Sequence, residues 1–223
     1  MSRIPVIAID GPSGSGKGTV SRAVARELGW HFLDSGAIYR SLAVAVLKNG
    51  VSLDDIPAIV AIAEAMDLAF TADEPPAVVL NGANITADIA TEVCGNTASK
   101  IASIGPVRSA LLQKQKDFRK PPGLVADGRD MGSVVFTDAD VKIYLTASAR
   151  VRAERRHKQL SDKGTHVNLD SLTREIEERD QRDRERKEAP LVVADGARVI
   201  DSSELAPRVV IDQVLDLVRA SMT

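Results

Sequence analysis

Cysteine is nearly missing from this chain. Cys94 stands alone, which rules out a disulfide within the chain and a zinc site built on several thiolates, and fits a reducing compartment; we expect it to be a small buried residue. Aromatic residues fill only 3% of the 223 positions, too few for the stacked-ring surface of many single-strand nucleic-acid binders. The three histidines, His31, His157 and His166, are scattered without metal-ligand spacing. No apolar run approaches the ~18 residues of a membrane span, and the one within MSRIPVIAID is too short for a secretion signal. Neither sign of charge dominates: 29 Lys and Arg against 31 Asp and Glu leave a net charge of −2, with no global pull toward nucleic acid or an anionic membrane. We therefore expect a cytoplasmic monomer with no nucleic-acid or membrane partner, in which any anion site is local.

What is present is the composition of a globular protein, 44% hydrophobic and 27% charged, of a size for one domain or one domain with an insert. Short apolar runs alternate with helical stretches. Ile4 to Ile9 reads as a strand ending at Asp10-Gly11, followed by a helix from Lys17 to Leu28. His31 to Leu33 stops at Asp34, and Ser35 is the expected N-cap of a helix through Lys48, closed by Asn49-Gly50. Leu124 to Ala126, Val141 to Leu145 and Arg198 to Ile200 read as buried strands. Val107 to Phe118, Ala149 to Leu160, Leu169 to Lys187 and Leu205 to Arg219 read as helices. The alternation predicts an α/β fold in three layers, a parallel sheet between helices. Ligands in such sheets bind beyond the carboxyl ends of the strands, where Asp10, Asp34 and Asp127 fall. Met66 to Ile89 breaks the pattern: Asp67 to Phe70, Ala77 to Leu80, Asn81-Gly82 and Ile85-Thr86 read as a hairpin with a tight turn. Residues 65–97 are expected to form a small antiparallel insert, with 1–64 and 98–223 as the core.

Gly11 to Thr19 reads GPSGSGKGT. It follows a predicted strand and opens a predicted helix, the context a phosphate-binding P-loop requires. Glycines let backbone N–H groups converge on an anion, and the helix amino end adds partial positive charge. Gly11, Pro12, Ser13, Gly14, Ser15, Gly16, Lys17, Gly18 and Thr19 are thus the expected ATP-binding residues, Lys17 reaching the outer phosphates. Gly18 stands where a hydroxyl residue usually follows the lysine, and the hydroxyl comes one place later at Thr19. Thr19, with Asp127 at the end of LVAD, is the candidate pair for Mg2+, directly or through water.

Three further segments go beyond a phosphate cradle: DSGAIYR at 34–40, ADGRDMG at 126–132 and ERDQRDRER at 178–186. Together with GPSGSGKGT they resemble the bacterial-type cytidylate kinases, over essentially the whole chain. The resemblance implies a P-loop core, an acceptor-binding insert at 65–97 and a helical lid at about 150–188. It implies ATP and CMP or dCMP as substrates, with magnesium. By position in the motifs, it implies that Ser35, Arg40, Ser99, Arg108, Arg129, Asp130, Arg179, Asp183 and Arg186 bind CMP and its phosphate. Arg152, Arg155 or Arg156 could lie against the adenine in place of an aromatic ring.

The chemistry suits these residue types. A phosphate monoester loses its second proton near pH 6, so the acceptor is already a dianion at neutral pH and needs no general base. Its difficulty is repulsion from the donor phosphates, which cations relieve. Lys17, Arg40, Arg129, Arg179 and Arg186 are the candidate catalytic cations, arginine because its planar fork grips two oxygens. On a helix, Arg179, Asp183 and Arg186 share one face. A carboxylate such as Asp130 would attract cytosine's exocyclic amino group and repel uracil's carbonyl, while Arg108 could donate to the neighbouring ring atoms. Tyr39 is expected to pack between helices. One rival is a P-loop kinase of a small hydroxyl metabolite with Asp34 as base; another is a nucleotide-dependent nucleic-acid binder using the arginine-rich segment.

Overall fold

Five consecutive buried residues, VIAID, make the first strand, β1 (Val6–Asp10). A run with no polar face belongs at the centre of a sheet covered on both sides, and β1 occupies that place. In the computed structural model, which describes residues 3–70, 77–162, 164–165 and 167–221, the elements in chain order begin with β1, α1 (Lys17–Leu28), β2 (His31–Asp34) and α2 (Ser35–Lys48). There follow α3 (Ile56–Ala65), β3 (Leu68–Phe70), β4 (Val78–Leu80), β5 (Ala83–Asn84), α4 (Glu92–Ile101) and α5 (Gly105–Lys116). The last are β6 (Leu124–Gly128), β7 (Val141–Thr146), α6 (Ala149–Ser161), α7 (Leu169–Glu185), β8 (Arg198–Asp201) and α8 (Pro207–Ser221). A one-turn 3-10 helix at Asp88–Ala90 and a π-helix at Met131–Val135 complete the set. The chain divides into two compact units, residues 1–33 with 117–223, and residues 34–116.

The first unit holds the five-stranded parallel sheet, in the order β2-β6-β1-β7-β8. Ile7 lies opposite Val125 on one side and Val141 on the other. Because β6 and β7 flank β1, the chain leaving β1 stands at a switch point of the strand order, where a ligand crevice opens. On one face, Val20, Val24 and Ala25 of α1 and Val210, Val214, Leu215 and Val218 of α8 pack on Ile7, Ile9, Ile143 and Leu145. α6 and α7 pair through Ala153, Leu172 and Ile176.

The second unit packs α2 with α4 and α3 with α5 and carries the antiparallel sheet β3-β4-β5. Asn81 and Gly82, both with positive φ (49° and 81°), form the predicted tight turn between β4 and β5, the geometry that Asn-Gly adopts with least strain. The strand after the turn is Ala83–Asn84, so Ile85-Thr86 are not part of it; Ile85 is buried instead. The expected insert, 65–97, lies wholly inside this wider unit, which begins at Asp34. Two helices were not expected, α3 and α4. The cap of α2 is Asp34, whose Oδ1 accepts from the Ala37 N–H at 2.9 Å, and Ser35 is the first helical residue.

Candidate active site

The loop from Gly11 to Gly16 leaves β1 with almost no room to spare. A Cβ on Gly11 would fall 2.0 Å from the Leu145 carbonyl oxygen, so only glycine fits. Gly14, with φ of 78°, crosses Arg152 so closely that an added Cβ would stand 3.0 Å from that residue's Cβ. Helix α1 starts without a side-chain cap, which leaves its amino end disposed toward an anion. Lys17 Nζ donates to the Pro12 carbonyl at 3.1 Å, folding the side chain over its own loop.

Two buried struts fix this loop from below. Arg152, on α6, donates from Nη1 to the Ser13 carbonyl at 3.0 Å and from Nε to the Ala147 carbonyl at 2.9 Å. It also makes a two-pronged pair with Asp180 of α7, at 3.1 and 2.5 Å. Both partners of this pair are buried. Further along, the Ser202 hydroxyl donates to the Ser15 carbonyl at 2.9 Å, and Arg155 Nη1 reaches the same oxygen at 3.3 Å. A loop held at Ser13 and Ser15 is organised before any ligand arrives, which is how a site avoids reorganisation cost.

Asp127, buried at the end of β6, brings its Oδ2 within 3.3 Å of where a Gly18 Cβ would stand. A side chain at position 18 would press on this carboxylate. Among the described residues, no group of three or more His, Cys, Asp and Glu is placed to hold a metal. One carboxylate and one hydroxyl beside a phosphate cradle fit an ion such as magnesium, which keeps several waters and takes the rest of its shell from substrate phosphates.

Next along the chain, Arg129 donates from Nε to Asp183 Oδ2 at 2.8 Å. Burial would lower the Arg129 pKa, but the charge of Asp183, with Asp127 and Asp180, outweighs it and raises the pKa. Burial would raise the Asp183 carboxyl; Arg129, Arg179 and Arg186 together hold it below its ordinary value. The structure thus brings Arg129 of another segment onto the buried Asp183, where Arg179 and Arg186 of the expected helix face also act. Arg186 arrives differently from the expectation. The helix stops at Glu185, and Arg186 is an extended C-cap whose Nε donates to the Ala189 carbonyl. Asp183 and Asp180 are both buried, so the charged helix is more than a solvated face.

Asp10, the last residue of β1, is 3% exposed. Its Oδ1 accepts from the Met131 N–H and its Oδ2 from the Gly132 N–H, each at 2.8 Å. Burial drives its pKa up to about 6, against the pull of the two amides, and nearby Asp130 adds to the rise while Lys17 opposes it. Asp130 is itself buried, ahead of the π-helix.

The second unit carries the remaining candidates. Ser35 donates its hydroxyl to Gln115 Oε1 at 2.7 Å. Arg40 donates from Nη1 to the Ile89 carbonyl at 2.5 Å and lies over Gly95, where a Cβ would come within 2.9 Å of Nη2. Ser99 is buried on α4. Arg108 donates to the Ala102 carbonyl at 3.3 Å, with its guanidinium 5.9 Å from the centre of the Tyr39 ring. Tyr39 is buried, in keeping with its expected packing role. Cys94 is buried too.

The family model for cytidylate kinase matches residues 7–220. This chain belongs to the cytidylate kinase family. The cytidylate kinase of Methylococcus capsulatus is 59% identical over 217 residues, covering 97% of this chain and 98% of the relative. That of Aeromonas salmonicida is 55% identical over 217 residues, with 97% and 93% covered. That of Shewanella frigidimarina is 52% identical over 224 residues, with 99% and 98% covered.

Membership in the cytidylate kinase family does not favour the hydroxyl-kinase alternative, and Asp34, its candidate base, has one carboxylate oxygen engaged as a helix cap. Arg152 is not available for the adenine, because its guanidinium is buried against Ser13, Ala147 and Asp180. Arg155 bonds Ser15 and Ser202, and Arg156 reaches Gln159. His166 lies outside the described residues. Sequence reasoning placed Asp10 at a strand end without giving it a task, and it missed Asp180 and Ser202. The signal for Asp10 was a carboxylate closing a wholly apolar strand. Asp180 and Ser202 are single polar residues among many, with nothing local to mark them.

Proposed function

We propose that this member of the cytidylate kinase family transfers the terminal phosphoryl group of ATP to the phosphate of CMP or dCMP, giving ADP and CDP or dCDP. An acceptor phosphate oxygen attacks the γ-phosphorus, the bond from that phosphorus to the bridging oxygen breaks, and ADP carries the released charge. The acceptor is a dianion, so no side chain has to take a proton from it. The work of the protein is to hold two repelling anions in line and offset their charge.

Gly11 to Thr19 bind the ATP phosphates, Lys17 meeting the outermost. Thr19 and Asp127 would hold Mg2+, which would supply positive charge against the donor phosphates. Arg129, Arg179 and Arg186 grip the transferring and acceptor phosphates, and Arg40 serves the acceptor as well. Ser35, Ser99, Arg108, Asp130 and Asp183 bind the nucleoside of CMP, with Asp130 reading the exocyclic amino group. Residues 65–97 form an acceptor-binding insert, and 150–188 a lid that closes to exclude water, which would otherwise accept the phosphoryl group. The enzyme works as a cytoplasmic monomer with no nucleic-acid or membrane partner.

The observation that carries this reading is the gathering of Arg129, Arg179 and Arg186 about the single buried carboxylate of Asp183. Guanidinium groups brought together in this way are the planar forks that grip phosphate oxygens two at a time. A coupled assay of ADP release across all nucleoside monophosphates, with saturating ATP and magnesium, tests it. CMP and dCMP should be the preferred acceptors, and no CDP formed from CMP would end the proposal.

A further inference from the structure

We infer that Asp10 is a positioning residue for the acceptor arginine, a strut that fixes the Arg129–Gly132 segment to the strand from which the P-loop springs. The inference rests on the role proposed above for Arg129. Asp10 touches neither phosphate in that mechanism; it acts through the backbone that carries Arg129 and Asp130.

Its two carboxylate oxygens are used separately: Oδ1 accepts from the Met131 N–H and Oδ2 from the Gly132 N–H, both at 2.8 Å. Two adjacent N–H groups aimed at one side chain require two acceptors. A carboxylate supplies two such oxygens on a side chain this short. An amide would satisfy one N–H and turn its own NH2 against the other, in a place closed to water. Two residues upstream of Met131 stands Arg129, whose Nε meets Asp183 at 2.8 Å. One residue downstream of Asp10 stands Gly11, wedged against Leu145. The β1 side is therefore rigid, and the strut transmits that rigidity to the segment bearing the acceptor arginine.

This arrangement also explains why a carboxylate is kept in a site that opposes its charge. Asp10 lies near Asp130 and is buried among apolar strands, so a neutral residue would be the easier occupant. The geometry of two amides gives the carboxylate a task that no neutral isostere can perform.

The test compares Asp10→Asn and Asp10→Ser with Arg129→Ala, each assayed with CMP varied at saturating ATP and the reverse. Misplacing Arg129 by about 1 Å should lower kcat/KM for CMP by about 10²-fold, while KM for ATP stays within about twofold of the parent. Amide exchange measured by NMR should quicken at Met131 and Gly132 while the amides of β1 and β6 remain protected. The inference is overturned if the CMP constants are unchanged in both variants. It is also overturned if ATP and CMP constants worsen in parallel, or if both variants fail to fold, since Asp10 would then be only structural. Should Arg129→Ala itself keep full turnover, the role given to Arg129 falls, and this inference with it. Should Arg129→Ala collapse while both Asp10 variants match the parent, the inference alone fails.

Discussion

Arg129 and Asp183, 54 residues apart in the chain, meet through a 2.8 Å hydrogen bond from Nε to Oδ2. The pair joins the segment after β6 to the last turn of α7, and it fixes the direction in which Arg129 points. Removing the carboxylate would leave Arg129 part-buried beside Arg179 and Arg186 with the main counter-charge gone. Asp183→Ala should cost about 3 kcal/mol of folding stability, read as a lower midpoint in urea with an unchanged slope. A midpoint equal to that of the parent would show that solvent already screens the cluster.

Lys17→Ala should nearly abolish turnover, by about 10³-fold or more, with the far-ultraviolet circular dichroism unchanged. The reason is local: Lys17 sits on the first turn of α1, where its Nζ donates to the Pro12 carbonyl of the loop. Its loss therefore strips charge from the cradle without unfolding it. Retained turnover would mean that the cradle does not hold the transferred group.

Two buried carboxylates should give opposite pH dependences. Asp10 has its pKa raised by burial to about 6, so its contribution to stability is greatest below the unfolded value near 4 and is lost as pH rises through 6. The full effect is on the order of 3 kcal/mol. Asp183 has its pKa depressed by the three arginines against burial. Its contribution is present above the unfolded value and lost as pH falls below it. Urea titrations between pH 4 and 7 should show stability rising more steeply, or falling less, with pH in Asp10→Asn than in the parent. An identical slope would show that Asp10 titrates normally.

Asp130→Asn should narrow the preference for CMP over UMP by about tenfold or more, because an amide can offer either a donor or an acceptor to the base. The measurement is the ratio of kcat/KM for the two acceptors. An unaltered ratio would remove Asp130 from base reading and leave it a neighbour of Asp10.

Much of the fold was legible because its strands are short, apolar and closed by Asp or Gly, and because its helices have clear periods. Lys17–Leu28 was expected to the residue. Helix α3, IPAIVAIAEA, escaped because it is apolar on nearly every side and offers no polar face to count. Helix α4, EVCGNTASKI, escaped because Gly95, Asn96, Thr97 and Ser99 are weak helix formers. It is packing on α2 and the Thr91 cap that hold it. Asp34 ends its strand as expected, but it also caps α2, the place expected for Ser35. In the site, the motifs named the arginines, but the anchors Asp10, Arg152 and Asp180 act across 28 residues or more. No spacing rule reaches that far.

The buried pair of Arg152 and Asp180 constrains how such enzymes can be recombined. A chimaera that takes α7 from one parent and α6 from another must inherit both partners or neither. Splitting them would strand an ion in the interior, at a penalty of about 3 to 5 kcal/mol, and slacken the grip on Ser13. The natural cassette for grafting a different arginine helix therefore runs from residue 149 through 186 as one piece.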